Sequence, residues 1–258
     1  VKNLFRVKIC GVTAPVDARI AVEAGADAIG FNFVPGSVRC LDLTVARAVA
    51  DVVPAGVLKV GVFAGADPAE IRRLAATVGL DAIQLHGHLD GAAGPVDPPA
   101  TAAALAGLKL IRAVRLDADG LVAARRWLAA ANAAGATIGM VIVDASVPRT
   151  AAGAALGGTG ARVDWAALAA EPPLGIPLAV AGGLDPGNVA EAIRISRATA
   201  VDTASGVEST PGRKDPEKVR AFVAAARQAF AAGGSPGVGQ PRPGGGCADR
   251  GERLRFGG

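Results

Sequence analysis

Residues 58–85 read LKVGVFAGADPAEIRRLAATVGLDAIQL, and they contain one whole repeat of an α/β pattern. The run at 58–63 is apolar almost throughout, as in a strand covered on both faces. Asp67 precedes Pro68, a capping side chain followed by a residue whose fixed φ suits the first helical position. The helix expected over 68–78 stops at Gly79. A second apolar run follows at 82–85.

The same alternation extends in both directions. Further strand-like runs lie at 5–9, 28–33, 108–114, 140–143, 178–181 and 200–202. Helices are expected over 15–24, 43–53, 119–134, 164–170, 186–193 and 216–230, with Asp-Pro starts again at 185–186 and 215–216. Eight strands alternating with helices predict an α/β fold, a single (β/α)₈ TIM barrel, rather than an open doubly wound sheet. No GxGxxG follows the first strand, which counts against a dinucleotide-binding sheet. One unit is weak. Residues 91–100 are rich in Gly and Pro and only 102–106 look helical, so the fourth helix is expected to be short. The segment 146–162 is loaded with Gly, Ala and Thr, and long barrel loops sit over active sites. From 232 onward Gly, Pro and Arg dominate without apolar periodicity, as in a disordered tail. The expected division is a barrel over 1–231 and a tail over 232–258.

Composition narrows the function. Hydrophobic residues make up 51% and charged residues 19%, enough for a sizeable core. The net charge is +4, but the cations are scattered, aromatics are 3% and Tyr is absent, so no nucleic-acid partner is expected. A mild positive balance suits a small anionic substrate. Three cysteines without CxxC spacing make a poor disulfide framework and point to a reducing compartment. No apolar run approaches the roughly 20 residues of a membrane span, and the first residues are too charged for a secretory signal. A cytoplasmic protein with no membrane partner is expected, and monomer and homodimer both stay open.

In such a barrel the chemistry sits at the C-terminal strand ends. Cys10 ends the first run and precedes Gly11; it is either a base or nucleophile, or a small buried hydrophobe. Asp144 follows MVIV, where an unpaired carboxylate is costly to bury, so it is a helix cap or a site acid. On strands one and six the two would face each other across the mouth, where they could move protons in opposite directions, as an isomerase requires. Arg39 could fork onto a substrate carboxylate or lie solvated in its loop. Gln84 and His86 could orient substrate hydroxyls or satisfy backbone groups. Three glycine clusters occupy consecutive late loops: Gly157–Gly158–Thr159–Gly160, Gly182–Gly183 and Ser205–Gly206. Bare backbone N–H groups at these loops form the usual phosphate cradle of the fold.

At these residues the chain resembles the phosphoribosylanthranilate isomerases of tryptophan biosynthesis. The matching segments include VKICGVT (7–13), GFNFVPGSVR (30–39), IQLHG (83–87), VDAS (143–146), GGTGARVDW (157–165), AVAGGLDPGNV (179–189) and VDTASGVESTPGRKD (201–215). The resemblance implies an Amadori rearrangement without metal or cofactor. It implies Asp144 as general acid, Cys10 as general base, Arg39 at the anthranilate carboxylate and Asp202 near the sugar hydroxyls. Gly158, Thr159, Gly160, Gly182, Gly183, Ser205 and Gly206 would hold phosphate. Cys40 departs from the family, which often has an aromatic there. Two alternatives remain. The related isomerase of histidine biosynthesis has an aspartate where this chain has Cys10, and no half-chain repeat is visible here. A non-catalytic phosphate-binding barrel predicts loss of one proton-transfer residue, yet Cys10 and Asp144 are both present.

Overall fold

A computed structural model describes residues 2–89, 95–144 and 163–233 of the chain. Eight parallel strands close into a barrel in sequence order. They are β1 (Val7–Cys10), β2 (Ala28–Asn32), β3 (Leu58–Phe63), β4 (Ala82–Leu85), β5 (Leu110–Arg115), β6 (Ile138–Asp144), β7 (Leu178–Val180) and β8 (Ala200–Thr203). Strand β1 closes the ring by pairing with both β2 and β8, and Lys8 stands in register with Asp202. The helices between are α1 (Pro15–Glu23), α2 (Leu43–Asp51), α3 (Pro68–Val78), α4 (Pro99–Ala104), α5 (Val122–Ala133), α6 (Trp165–Ala170), α7 (Val189–Ser196) and α8 (Pro216–Gly233). After β8 the chain makes a 3₁₀ turn, Ser205–Val207, and a small antiparallel ribbon, β9 (Glu208–Thr210) with β10 (Arg213–Lys214).

Local chemistry explains most boundaries. The Asp67 carboxylate accepts the Ala69 and Glu70 N–H groups at the start of α3, and Gly79 ends that helix in the left-handed conformation. Asp215 caps α8 in the same way through Glu217 and Lys218. The third Asp-Pro pair behaves differently. Asp185 folds a turn with Asn188 instead of capping, so α7 begins at Val189 and not at 186. Helix α5 also starts late, at Val122, because the backbones of Asp117 and Gly120 bond to each other in a turn. Helix α4 is short, as expected, with six residues, but it begins at Pro99, ahead of the expected 102–106 stretch. Helix α8 runs through Gly233, two residues past the expected barrel boundary; the rest of the 232–258 segment, with Cys247, lies outside the described residues.

The alternation of side chains along β1 decides where the chemistry points. Val7 and Ile9 pack outward with Ala18, Ala21 and Phe222 of the helical layer, so Lys8 and Cys10 face the lumen. The lower lumen is apolar, filled by Phe5, Ala28, Val60, Ile111, Met140 and neighbours. The upper lumen carries the charge.

Candidate active site

The pocket at the C-terminal mouth is lined by Cys10, Asn32, Arg39, Gln84, His86, Asp144, Gly182, Gly183, Asp202 and Ser205, among others. Thus the described residues expected from the sequence converge, coming from six strand ends. Gly206 follows directly in the 3₁₀ turn, where a Cβ would collide with the Leu184 carbonyl oxygen; only glycine lets that turn lie so close to the loop after β7. Gly158, Thr159 and Gly160, with the whole 146–162 segment, lie outside the described residues.

Cys10 ends β1 and keeps some exposed surface at the pocket floor. Gly30 of β2 stands beside it in register, and a Cβ there would come within 2.5 Å of Sγ, so the glycine makes room for the sulfur. Burial pushes the Cys10 pKa up, and the opposing pull of the Lys8 and Lys214 charges still leaves it above the ordinary thiol value. Beneath it the Lys8 ammonium lies 3.0 Å from both oxygens of Asp202, with no solvent exposure of the lysine. Burial works against the Lys8 charge, but Asp202 and Cys10 outweigh it and hold the lysine protonated. Sequence reading missed Lys8. Its signal was present, since a lysine inside an otherwise apolar strand needs a buried partner.

On the other side, Asp144 ends β6 and lies 3.8 Å from His86 Nε2. Gln84 Nε2 lies 3.1 Å from His86 Nδ1, which fixes the ring. Burial, then the Lys8 and Arg112 charges, lower the His86 pKa to about 4, so the ring is neutral at pH 7.

Arg39 reaches the pocket already engaged. Its Nε and Nη2 donate to Glu208 of β9 at 2.8 and 2.7 Å, a bidentate fork. Lys214 of β10 donates to the same carboxylate at 2.8 Å. Burial opposes the Glu208 charge; the two cations outweigh it and keep its pKa below the ordinary value. The Arg39 side chain crosses Gly11, where a Cβ would overlap its Cδ and the backbone φ is +67°. Glu208 and Lys214 were not singled out by the sequence, because only folding brings the ribbon after β8 against the loop after β2.

The loop after β7 is held by Asn188, whose amide donates to the Gly183 carbonyl oxygen at 2.9 Å and to Asp185 at 3.0 Å. Gly182 and Gly183 both take positive φ, 78° and 64°. Without a Cβ, these glycines let the backbone N–H groups of the loop approach an anion closely. Among the described residues, no group of three or more His, Cys, Asp or Glu is arranged to hold a metal.

Barrel and pocket together define a (β/α)₈ enzyme with its active site at the C-terminal mouth. The family model for N-(5′-phosphoribosyl)anthranilate (PRA) isomerase matches residues 7–225. The chain belongs to that family, whose members are isomerases of tryptophan biosynthesis. It is 44% identical over 223 residues to N-(5′-phosphoribosyl)anthranilate isomerase of Myxococcus xanthus, covering 86% of this chain and 96% of the relative. The phosphoribosyl anthranilate isomerase structure from Thermotoga maritima superposes with a TM-score of 0.73 at 32% identity, over 87% of this chain and 99% of that one. A structure of phosphoribosyl anthranilate isomerase in complex with reduced 1-(o-carboxyphenylamino)-1-deoxyribulose 5-phosphate superposes with a TM-score of 0.69, also at 32% identity and with the same coverage.

Proposed function

We propose that this chain converts N-(5′-phosphoribosyl)anthranilate to 1-(2-carboxyphenylamino)-1-deoxyribulose 5-phosphate with Asp144 as general acid and Cys10 as general base. The observation that carries this reading is the meeting of both groups, from β1 and β6, in one pocket at the barrel mouth. Asp144 protonates the furanose ring oxygen; the C1′–O4′ bond breaks and leaves a Schiff base. The Cys10 thiolate then removes the C2′ proton. The S–H bond forms as C2′–H breaks, and the electron pair passes into C1′–C2′ and onto the Schiff-base nitrogen. The resulting enolamine tautomerises to the ketone. Gln84 and neutral His86 orient Asp144 and the ring-opened sugar, and Asp202 faces the sugar hydroxyls.

The substrate phosphate binds the backbone N–H groups of Gly182, Gly183, Ser205 and Gly206, together with the glycines at 158 and 160 and Thr159. Arg39 meets the anthranilate carboxylate. With Nε and one Nη2–H committed to Glu208, its outer Nη edge serves the ligand. Phosphate binding far from the reacting carbon supplies energy that positions that carbon. The catalytic unit is the barrel itself, a division supported by the family match ending at residue 225.

The test is loss of anthranilate-type fluorescence on incubation with fresh phosphoribosylanthranilate, with product mass confirmed. Wild type is expected to turn over. Asp144→Asn and Cys10→Ala are each expected to lose about 10²–10⁴-fold in kcat. Turnover no faster than spontaneous decay in the folded wild type would sink the assignment. Near-normal turnover in either variant would remove that residue from its role.

A further inference from the structure

Cys10 works as a base only when its sulfur is ionised, and its surroundings oppose that by burial. The compensating group is on the same strand. Lys8 and Cys10 are two residues apart on β1, so both side chains enter the lumen on one face, the lysine one layer below. The Lys8 ammonium has three N–H donors, and its partner Asp202 is bound through both oxygens at 3.0 Å. The lysine is wholly enclosed, and its charge acts through a medium that screens little.

We propose that Lys8 is a positioning residue for the reaction: its buried ammonium favours the Cys10 thiolate against the cost of burial, and Asp202 fixes the ammonium in place while moderating its pull. The proposal rests on Cys10 being the base. It gives the Lys8–Asp202 pair a function beyond structure. A buried ion pair is by itself weak evidence for stability, since well-packed apolar residues often serve as well.

Lys214 adds to the pull of Lys8 on the sulfur, and the remaining charges around it are opposed in sign or engaged elsewhere. The Asp202 carboxylate of β8 disfavours a thiolate, and Asp144 of β6, the proposed proton donor, supplies no positive charge. His86 of β4 is neutral at pH 7. Arg39, from the loop after β2, is forked onto Glu208, and Lys214 of β10 is bonded to that carboxylate and to the Ala204 carbonyl oxygen. Strand β2 presents Gly30 and Asn32, neither of them charged. Among the described residues, Lys8 is the cation that shares the Cys10 face of β1.

The two partners of the pair must therefore act on the thiol in opposite directions. The experiment measures iodoacetamide alkylation of Cys10 against pH, read by mass spectrometry of the Cys10 peptide so that Cys40 and Cys247 do not interfere. Asp202→Asn is expected to move the alkylation midpoint to lower pH, because it frees the lysine charge. Lys8→Met is expected to move it higher. Because Lys8→Met strands a buried carboxylate and can misfold, the deciding comparison is Lys8→Met/Asp202→Asn against Asp202→Asn alone. Neutral-pH alkylation in the double variant is expected to fall on the order of tenfold or more. Equal midpoints in those two variants would overturn the proposal. The assay reads the thiol and not turnover, so a Cys10→Ala enzyme that keeps its activity would refute Cys10 as base while leaving the Lys8 effect independently measured.

Discussion

At the residue scale the site is a set of charges whose environments assign their roles. His86 has its pKa lowered to about 4, first by burial and then by the Lys8 and Arg112 charges. In the unfolded chain an imidazole takes up its proton near pH 6.5. Between that pH and about 4 the unfolded state binds the proton and the folded state does not. The contribution of His86 to stability is therefore present above pH 6.5 and lost as pH falls toward 4. Urea unfolding from pH 7.5 to 4.5 is expected to show a falling midpoint in the wild type and a flatter one in His86→Asn. Equal slopes would show that His86 titrates normally. Cys10 illustrates the limit of reading residues singly. Its place at a strand end was visible in VKICG, but whether it is a packed thiol or a base depends on Lys8, Asp202 and the empty side of Gly30 around it.

At the element scale the weakest repeat turned out to be braced by polar groups. Helix α4 is too short to cover its strand pair with an apolar face alone. Arg112 of β5 points outward beneath it and donates to the Leu85 carbonyl oxygen at 2.9 Å and to that of Gly87 at 2.7 Å. It also lies 3.3 Å from Asp97 and 4.7 Å over the Trp127 ring. Asp97 in turn accepts the Gly65 and Gly87 N–H groups, and its backbone oxygen accepts Trp127 Nε1. Burial pulls the Arg112 pKa down to about 10, with Asp97 opposing the fall, so the guanidinium stays charged at neutral pH. The clamp ties the loops after β3 and β4 together just behind His86. Removing one partner leaves the other charge buried and unpaired. Arg112→Met is expected to destabilise the fold by about 3–5 kcal/mol, measured by urea denaturation. A loss within about 0.5 kcal/mol, as at an ordinary surface site, would contradict the clamp. Gly- and Pro-rich sequence at 91–100 announced a poor helix; nothing in it announced that Asp97 and Arg112 would meet.

At the scale of the whole molecule the barrel is closed by β1 and β8, and α8 seals it by packing Val219, Phe222, Val223 and Ala226 into the outer core. Among the described residues, both closure and seal are made by residues up to Ala226. A chain ending at Gly233 is expected to keep the kcat/KM and thermal midpoint of the full chain. A large loss in either would assign the C-terminal segment a part in folding or catalysis. By itself the sequence determined the fold class, the eight strands and the positions of Cys10, Asp144 and Arg39, because apolar runs, Asp-Pro caps and strand-end polar residues are local signals read within a few residues; Asp202 was implied by the family resemblance. Tertiary structure alone decided which groups meet: Lys8 with Asp202, Arg39 with Glu208 and Lys214, Arg112 with Asp97. Those partners stand 15 or more residues apart apart from the Glu208–Lys214 pair, and burial compels them to pair, since a charge taken out of water without a counter-charge is too costly to keep.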